Sequence, residues 1–142
     1  MPRPITTKQH AFLDYLTVGT MMLLPKVLNM SRPLATALES VAAVKLAYVL
    51  MTDHELGLVR KIPVKTHLIL DTALGAGLCA MPFVLGDDDD TAATVALVGM
   101  GLNDIVVAAA TQLTPTQQSI PRQLARTARQ SVERVRESVH AG

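Results

Sequence analysis

Residues 53–71 read DHELGLVRKIPVKTHLILD and lie at the centre of a chain of 142 residues. The stretch ends in Lys65-x-His67-x-x-Leu70-Asp71, and the start of the chain carries the same pattern as Lys8-x-His10-x-x-Leu13-Asp14. An offset of 57 residues also aligns Pro25-x-Val27-Leu28 with Pro82-x-Val84-Leu85, which gives seven identities over 21 positions. Unrelated segments of this length would share about one or two, so the pattern indicates an internal duplication. The chain is predicted to contain two copies of one helical hairpin.

The composition is typical of a membrane protein. Hydrophobic residues make up 49% of the chain and the mean hydropathy is +0.31, which is more apolar than a soluble domain of this size requires. Aromatic residues are only 3% and tryptophan is absent, so small and aliphatic side chains supply the apolar surface, as in closely packed membrane helices. The single cysteine, Cys79, lies in an apolar run and has no intrachain disulfide partner. We therefore expect an all-α protein.

Four apolar runs have about the length of one bilayer crossing: 11–30, 34–52, 67–86 and 91–113. The acidic turn Asp87–Asp90 must return the chain to water between the last two runs. We predict a four-helix transmembrane bundle over residues 1–115, made of two parallel-repeated helical hairpins, 8–58 and 65–115. Residues 116–142 are predicted to form a basic cytoplasmic tail that is partly helical. Within the centre, Gly57 is predicted as a helix C-cap and Pro63 as a first-turn residue.

The distribution of lysine and arginine predicts the orientation. In the four-span arrangement one face carries ten of these residues and the other only two, Lys26 and Arg32. Short cytoplasmic loops of membrane proteins are rich in Lys and Arg, so both termini and the central loop are predicted to be cytoplasmic. The two hairpins would then cross in the same direction. The ten residues are Arg3, Lys8, Arg60, Lys61, Lys65, Arg122, Arg126, Arg129, Arg134 and Arg136.

Two histidine and aspartate pairs are candidate binding residues. His10 with Asp14, and His67 with Asp71, are spaced i,i+4, which places each pair on one helix face. Such a pair can relay a proton or hold a cation, with the carboxylate orienting the imidazole. A structural role near the water interface is the alternative interpretation. No cofactor or metal is predicted; two histidines from two helices are only a weak signal for haem.

Ionisable residues inside the predicted spans form a second set. Four carboxylates, Asp14, Glu39, Asp71 and Asp104, accompany one interior cation, Lys45. Unpaired charges in hydrocarbon are costly, so these residues are predicted to pair or to face the bundle interior. The expected arrangement has Lys45 held by Asp14 or Asp71. A catalytic motif is not recognisable, so the protein is not expected to be an enzyme.

The central loop resembles the signature of small bacterial integral membrane proteins with SPW repeats. The resemblance lies in Glu55, Gly57, Arg60 and Pro63, together with the His67-x-x-x-Asp71 that follows them. In that family two helical hairpins each begin with His-x-x-x-Asp and end in a Ser-Pro-Trp motif. The corresponding positions here read Leu24-Pro25-Lys26 and Met81-Pro82-Phe83, so the prolines match and the tryptophans do not. The resemblance implies a protein of the bacterial inner membrane and carries no known activity.

Three functional hypotheses follow from these observations. The first is a non-enzymatic inner-membrane protein of the SPW-repeat type whose polar core is structural. The second is a proton- or cation-coupled carrier or channel component that uses its intramembrane carboxylates, and the third is a soluble helical bundle. The predicted partner is the lipid bilayer, with a second copy or another protein as candidates for the tail 116–142. Basic residues do not cluster with aromatic ones, so nucleic acid is not an expected partner.

Overall fold

The computed structural model describes residues 3–113 and 126–141 in full and the backbone alone of 115–125. These residues form five α-helices. Their bounds are α1 Thr7–Val27, α2 Arg32–Leu50, α3 Val64–Leu85, α4 Thr91–Ala110 and α5 Pro115–His140. The protein is therefore all-α, as predicted. The side chain of Arg122, which enters the charge count above, lies outside the described residues, and so does Thr114, which follows the fourth predicted run.

Local sequence signals set the helix ends. Thr6 and Gln9 form a capping box at the start of α1, and the side chains of Ser31 and Asp90 accept backbone N–H groups at the starts of α2 and α4. Gly86 ends α3 in the left-handed conformation, with φ of 73°, which glycine adopts without a Cβ penalty. Pro63 lies directly before α3, at its N-cap.

The prediction that Gly57 caps a helix is wrong. Helix α2 already ends at Leu50, and Gly57 lies in the loop that follows. A Cβ at this position would lie 2.0 Å from the carbonyl oxygen of Thr52, so glycine is required by close backbone approach. The run predicted over 34–52 thus ends as a helix at residue 50 because the chain turns there to form loop contacts with Ile62.

The chain divides into two units, residues 1–112 and 113–142. In the first unit α1 packs along α2, α3 packs along α4, and α2 also contacts α3. Two isolated parallel bridges join Ile5 to Thr111 and Ile62 to Thr52. The segment that leads into each hairpin therefore pairs with the end of the other hairpin, which closes the four helices into one bundle. The second unit contains α5, whose described side chains are exposed.

The contacts repeat with two different offsets. Helices α1 and α3 begin 57 residues apart, whereas α2 and α4 begin 59 residues apart, since α3 is one residue longer than α1 and the turn after it is one residue longer. With these offsets Ile5 corresponds to Ile62 and Thr52 to Thr111, which matches the two bridges. Lys45 then corresponds to Asp104. An oppositely charged pair therefore occupies equivalent positions in the two hairpins.

The outer surface of the first unit is apolar. Large hydrophobic side chains are exposed on all four helices, among them Phe12, Val44, Ile69, Phe83 and Val106. Helices α2, α3 and α4 are long and apolar enough to cross a membrane. Helix α1, which carries Lys8, Asp14 and Lys26, is not among them.

The interior has an apolar part and a polar part. Met21, Leu34, Leu38, Leu78 and Leu97 belong to one buried apolar cluster. Buried polar and charged residues lie nearer the starts of α1 and α3, and they are described below.

Helices α3 and α4 approach each other through two glycines. A Cβ on Gly75 would lie 2.5 Å from the carbonyl oxygen of Gly101, and a Cβ on Gly101 would lie 2.3 Å from that of Gly75. The corresponding positions in the first hairpin are Val18 and Ala42, so this close approach is a property of the second hairpin. It brings the backbone of α4, and with it Asp104, close to α3.

Candidate functional site

Six ionisable side chains form one buried group, here called the polar cluster. Each is at most 3% exposed, and their helices meet at this level of the bundle. Helices α1 and α3 each contribute a histidine and an aspartate, while α2 and α4 contribute the two equivalent residues of opposite charge. The members are His10, Asp14, Lys45, His67, Asp71 and Asp104, the same six residues that the sequence singled out as polar-core candidates.

Lys45 lies between three carboxylates. Its Nζ is 2.8 Å from Oδ1 of Asp71, 3.1 Å from Oδ1 of Asp14 and 3.2 Å from Oδ2 of Asp104. The lysine side chain is fully buried, so it makes these contacts in place of water. The expected pairing with Asp14 or Asp71 is thus made with both, and Asp104 is an additional partner. Glu39, the fourth carboxylate of the predicted spans, is half-buried on α2 and does not belong to the polar cluster.

The other oxygens of two aspartates meet both histidines. His10 Nε2 lies 2.8 Å from Asp71 Oδ2 and 3.2 Å from Asp14 Oδ2, while His67 Nε2 lies 2.8 Å from Asp14 Oδ2 and 3.0 Å from Asp71 Oδ2. Nitrogen and oxygen atoms therefore alternate around a closed ring of four atoms, here called the N2O2 ring. Each carboxylate divides its two oxygens between Lys45 and this ring.

Two threonines determine which nitrogen of each imidazole carries a proton. His10 Nδ1 lies 2.6 Å from the hydroxyl of Thr111, and His67 Nδ1 lies 2.7 Å from that of Thr52. Each hydroxyl donates its single proton to a backbone carbonyl one turn earlier, at 2.6 Å, on Val107 and Tyr48 respectively. With its own proton on the carbonyl, each hydroxyl oxygen accepts from the histidine, and this assignment places a proton on Nδ1 of both imidazoles.

Two further residues, Tyr48 and His54, contact members of the polar cluster. The hydroxyl of Tyr48 donates to Oδ1 of Asp71 at 2.6 Å. His54, in the loop after α2, is 94% buried and packs against the ring of His67 at a centroid distance of 5.9 Å. Its Nδ1 accepts the backbone N–H of Leu56, while its Nε2 has no partner among the described residues. Burial lowers the pKa of His54 below its ordinary value, and the nearby His67 adds to this effect.

The central-loop motif lies outside the polar cluster. The carboxylate of Glu55 accepts a hydrogen bond from the hydroxyl of Thr7 at 2.8 Å, and this bond connects the loop to the start of α1. Gly57 permits the close approach described above, Arg60 is exposed with φ of 46°, and Pro63 precedes α3. These residues shape the connection between the hairpins.

Sequence reasoning missed Thr52, Thr111, Tyr48 and His54. The two threonines stand at equivalent positions, but they are related by the offset of 59 and not by the 57 that aligns the histidine motifs. An alignment with a gap in the turn would have paired them, and it would have paired Lys45 with Asp104 as well. Tyr48 and His54 have no counterpart in the second hairpin, where Val107 replaces Tyr48, and no pattern marked them.

The geometry does not fit haem. A haem held by His10 and His67 would need its porphyrin between the two imidazoles. Oδ2 atoms of Asp14 and Asp71 lie there instead, within 3.2 Å of both nitrogens. The weak sequence signal for haem is therefore not supported by the arrangement of these side chains.

Comparison of the chain with protein-family models, with characterised proteins and with solved structures finds no match. The likeness to the SPW-repeat proteins consequently rests on the central-loop and histidine motifs alone.

Proposed function

We propose that the protein is a non-enzymatic integral membrane protein, a bundle of four spanning helices whose polar cluster is a cation centre joining its two hairpins. The observation that carries this proposal is the inverted distribution of polarity in the first unit. Charged side chains at most 3% exposed occupy the interior, while large apolar side chains face outward. A surface of this kind suits lipid, because a soluble protein rarely exposes large contiguous apolar patches.

The polar cluster supports a role in holding the hairpins together. Every member contacts a residue from the other hairpin: His10 contacts Asp71, His67 contacts Asp14, and Lys45 contacts both Asp71 and Asp104. Charged groups inside a membrane protein are tolerated when they face the bundle interior and pair with one another. Removing one partner would leave another charge buried and uncompensated. The polar cluster therefore favours one register of the two hairpins relative to each other.

A structural role for the polar cluster accounts for its geometry better than a role in ion transport does. All six residues of the polar cluster have polar partners on neighbouring helices, and none of them lines the pocket around Phe12 or the pocket around Leu16 and Met100. A transported ion would need access from water to these carboxylates. A liposome flux assay with the unaltered chain and with Asp71→Asn separates the two roles, since a carrier predicts flux that the substitution abolishes.

The orientation and location are part of the same proposal. The excess of basic residues on one face supports cytoplasmic termini, and the motif around Glu55 and Pro63 supports the SPW-repeat type and a bacterial inner membrane. The decisive test is extraction of isolated membranes with alkaline carbonate. An integral protein stays in the membrane pellet and is released by detergent, whereas release by carbonate alone would refute the proposal.

A further inference from the structure

The four atoms of the N2O2 ring need positive charge between them. Both imidazoles carry a proton on Nδ1, where it is held by Thr52 or Thr111, so a neutral imidazole directs the lone pair of Nε2 into the ring. The Oδ2 atoms of Asp14 and Asp71 face the same point. Four lone-pair donors at separations of 2.8–3.2 Å repel one another unless a cation lies between them. That cation is either a proton on each Nε2 or one metal ion.

The size of the ring fits a metal ion. A square with sides of 3 Å has its centre about 2.1 Å from each corner, and puckering shortens that distance slightly, whereas zinc binds histidine nitrogen at about 2.0–2.1 Å and carboxylate oxygen at about 2.0–2.2 Å. The ligand atoms of His10, Asp14, His67 and Asp71 all lie within 4.8 Å of one another. An ion between the four atoms would lie close to bonding distance from each of them.

The charge of the polar cluster also fits a divalent ion. Asp14, Asp71 and Asp104 carry three negative charges and Lys45 one positive charge, so the cluster has a net charge of −2 when the imidazoles are neutral. A divalent ion balances this charge. The side chains of the polar cluster are at most 3% exposed. Charge balance is important there, because an uncompensated charge away from water is costly.

The groups around the ring resemble the outer shell of a metal site. Ligating histidines commonly donate their second ring N–H to an oxygen, as His10 and His67 do to Thr111 and Thr52. Ligating carboxylates are commonly hydrogen-bonded through the oxygen that does not face the metal. Lys45 holds Oδ1 of Asp14 and Asp71, and Tyr48 also donates to Oδ1 of Asp71.

We propose that His10, Asp14, His67 and Asp71 bind one divalent transition-metal ion of the zinc class at the N2O2 ring. The inference rests on the proposed function, because it assigns the cation of the centre that joins the two hairpins. Two imidazole and two carboxylate ligands suit zinc, iron or manganese. Magnesium and calcium prefer six or more oxygen ligands, so they are not expected to compete.

The test uses the full chain purified in mild detergent. The chain is stripped with chelator, then titrated with Co²⁺ alone while the visible spectrum is recorded, and its zinc content is measured after incubation with Zn²⁺ and gel filtration. We expect one metal ion per chain and a ligand-field absorption of four-coordinate Co²⁺ that Zn²⁺ removes and excess Mg²⁺ does not. A folded chain that binds no stoichiometric metal and gives no such spectrum would overturn the proposal and show that protons occupy the ring.

Matched variants locate the site. His67→Gln replaces the imidazole ligand by an amide and Asp14→Asn removes the carboxylate charge, so each should abolish the Co²⁺ spectrum. Thr52→Val should weaken Co²⁺ binding about 10- to 100-fold through loss of the outer-shell hydrogen bond. His54→Gln is the control, because His54 packs against His67 without contributing a ring atom. Retention of the spectrum in His67→Gln, or its loss in His54→Gln, would place the metal elsewhere and refute the assignment.

Carbonate extraction of the same preparations separates failure of this inference from failure of the proposed function. An integral chain without metal would refute the metal site alone. Release of the chain by carbonate would refute the membrane proposal, whatever the metal content.

Discussion

His10 Nε2 lies closer to Asp71 of the other hairpin, at 2.8 Å, than to Asp14 one turn along its own helix, at 3.2 Å. His67 shows the reciprocal preference, with 2.8 Å to Asp14 and 3.0 Å to Asp71. The shortest contacts of the two duplicated motifs are therefore exchanged between the hairpins. The i,i+4 pairs expected from the sequence are present, but the shorter distance in each case is the contact across the duplication, which joins the two halves.

Membrane orientation can be checked with reporters. A reporter fused after Gly142 should be cytoplasmic, and one inserted at Asp88 should be exported, because the proposed four-span topology places ten lysine and arginine residues on the side of the termini. Each position is tested with two reporters, alkaline phosphatase, which is active when exported, and green fluorescent protein, which fluoresces in the cytoplasm. The opposite pattern would contradict the charge argument.

Lys45→Met should destabilise the bundle by about 3–5 kcal/mol, because it leaves three buried carboxylates without their shared cation. Adding Asp104→Asn should recover part of this loss, since that substitution removes one of the uncompensated charges. The measurement is a double-mutant cycle for thermal unfolding in detergent. Equal cost of Lys45→Met with and without Asp104→Asn would mean that the two residues are not coupled.

Gly101→Ala should lower the thermal stability, because the added methyl group would lie 2.3 Å from the carbonyl oxygen of Gly75 and 2.6 Å from Sγ of Cys79. Gly99→Ala on the same helix is the matched control, since nothing lies within 4 Å of its added Cβ. The control should be neutral or more stable by up to about 1 kcal/mol, because alanine favours helix more than glycine does. Equal behaviour of the two variants would contradict the close approach of α3 and α4.

Thr52→Val and Thr111→Val should each cost about 1–3 kcal/mol, because each leaves a buried histidine N–H without its acceptor. The similar geometry of the two sites predicts similar losses. Thr20→Val is the control, since its exposed hydroxyl bonds only to the carbonyl of Leu16. Thermal unfolding of the three variants in detergent provides the comparison, and a loss in Thr20→Val as large as in the others would remove the support for the histidine contacts.

The sequence by itself determined the helical class, the repeated His-x-x-x-Asp motif and the six candidate residues of the polar cluster. Apolar runs and the polar turns between them depend on the local sequence, so they can be read along the chain, as the acidic turn at Asp87–Asp90 shows. The repeated His-x-x-x-Asp spacing likewise reports which side chains share one helix face. These signals need no knowledge of how the helices meet.

Only the tertiary structure decided which side chains meet across helices. The exchange of partners between the His10 and His67 motifs, the three carboxylates around Lys45 and the acceptor roles of Thr52 and Thr111 all depend on packing between helices. One additional residue in α3 and one in the turn after it change the offset of the equivalent helices from 57 to 59. Helical periodicity describes neighbours on one helix, whereas distances between helices follow from turn lengths and from close approaches such as that of Gly75 and Gly101.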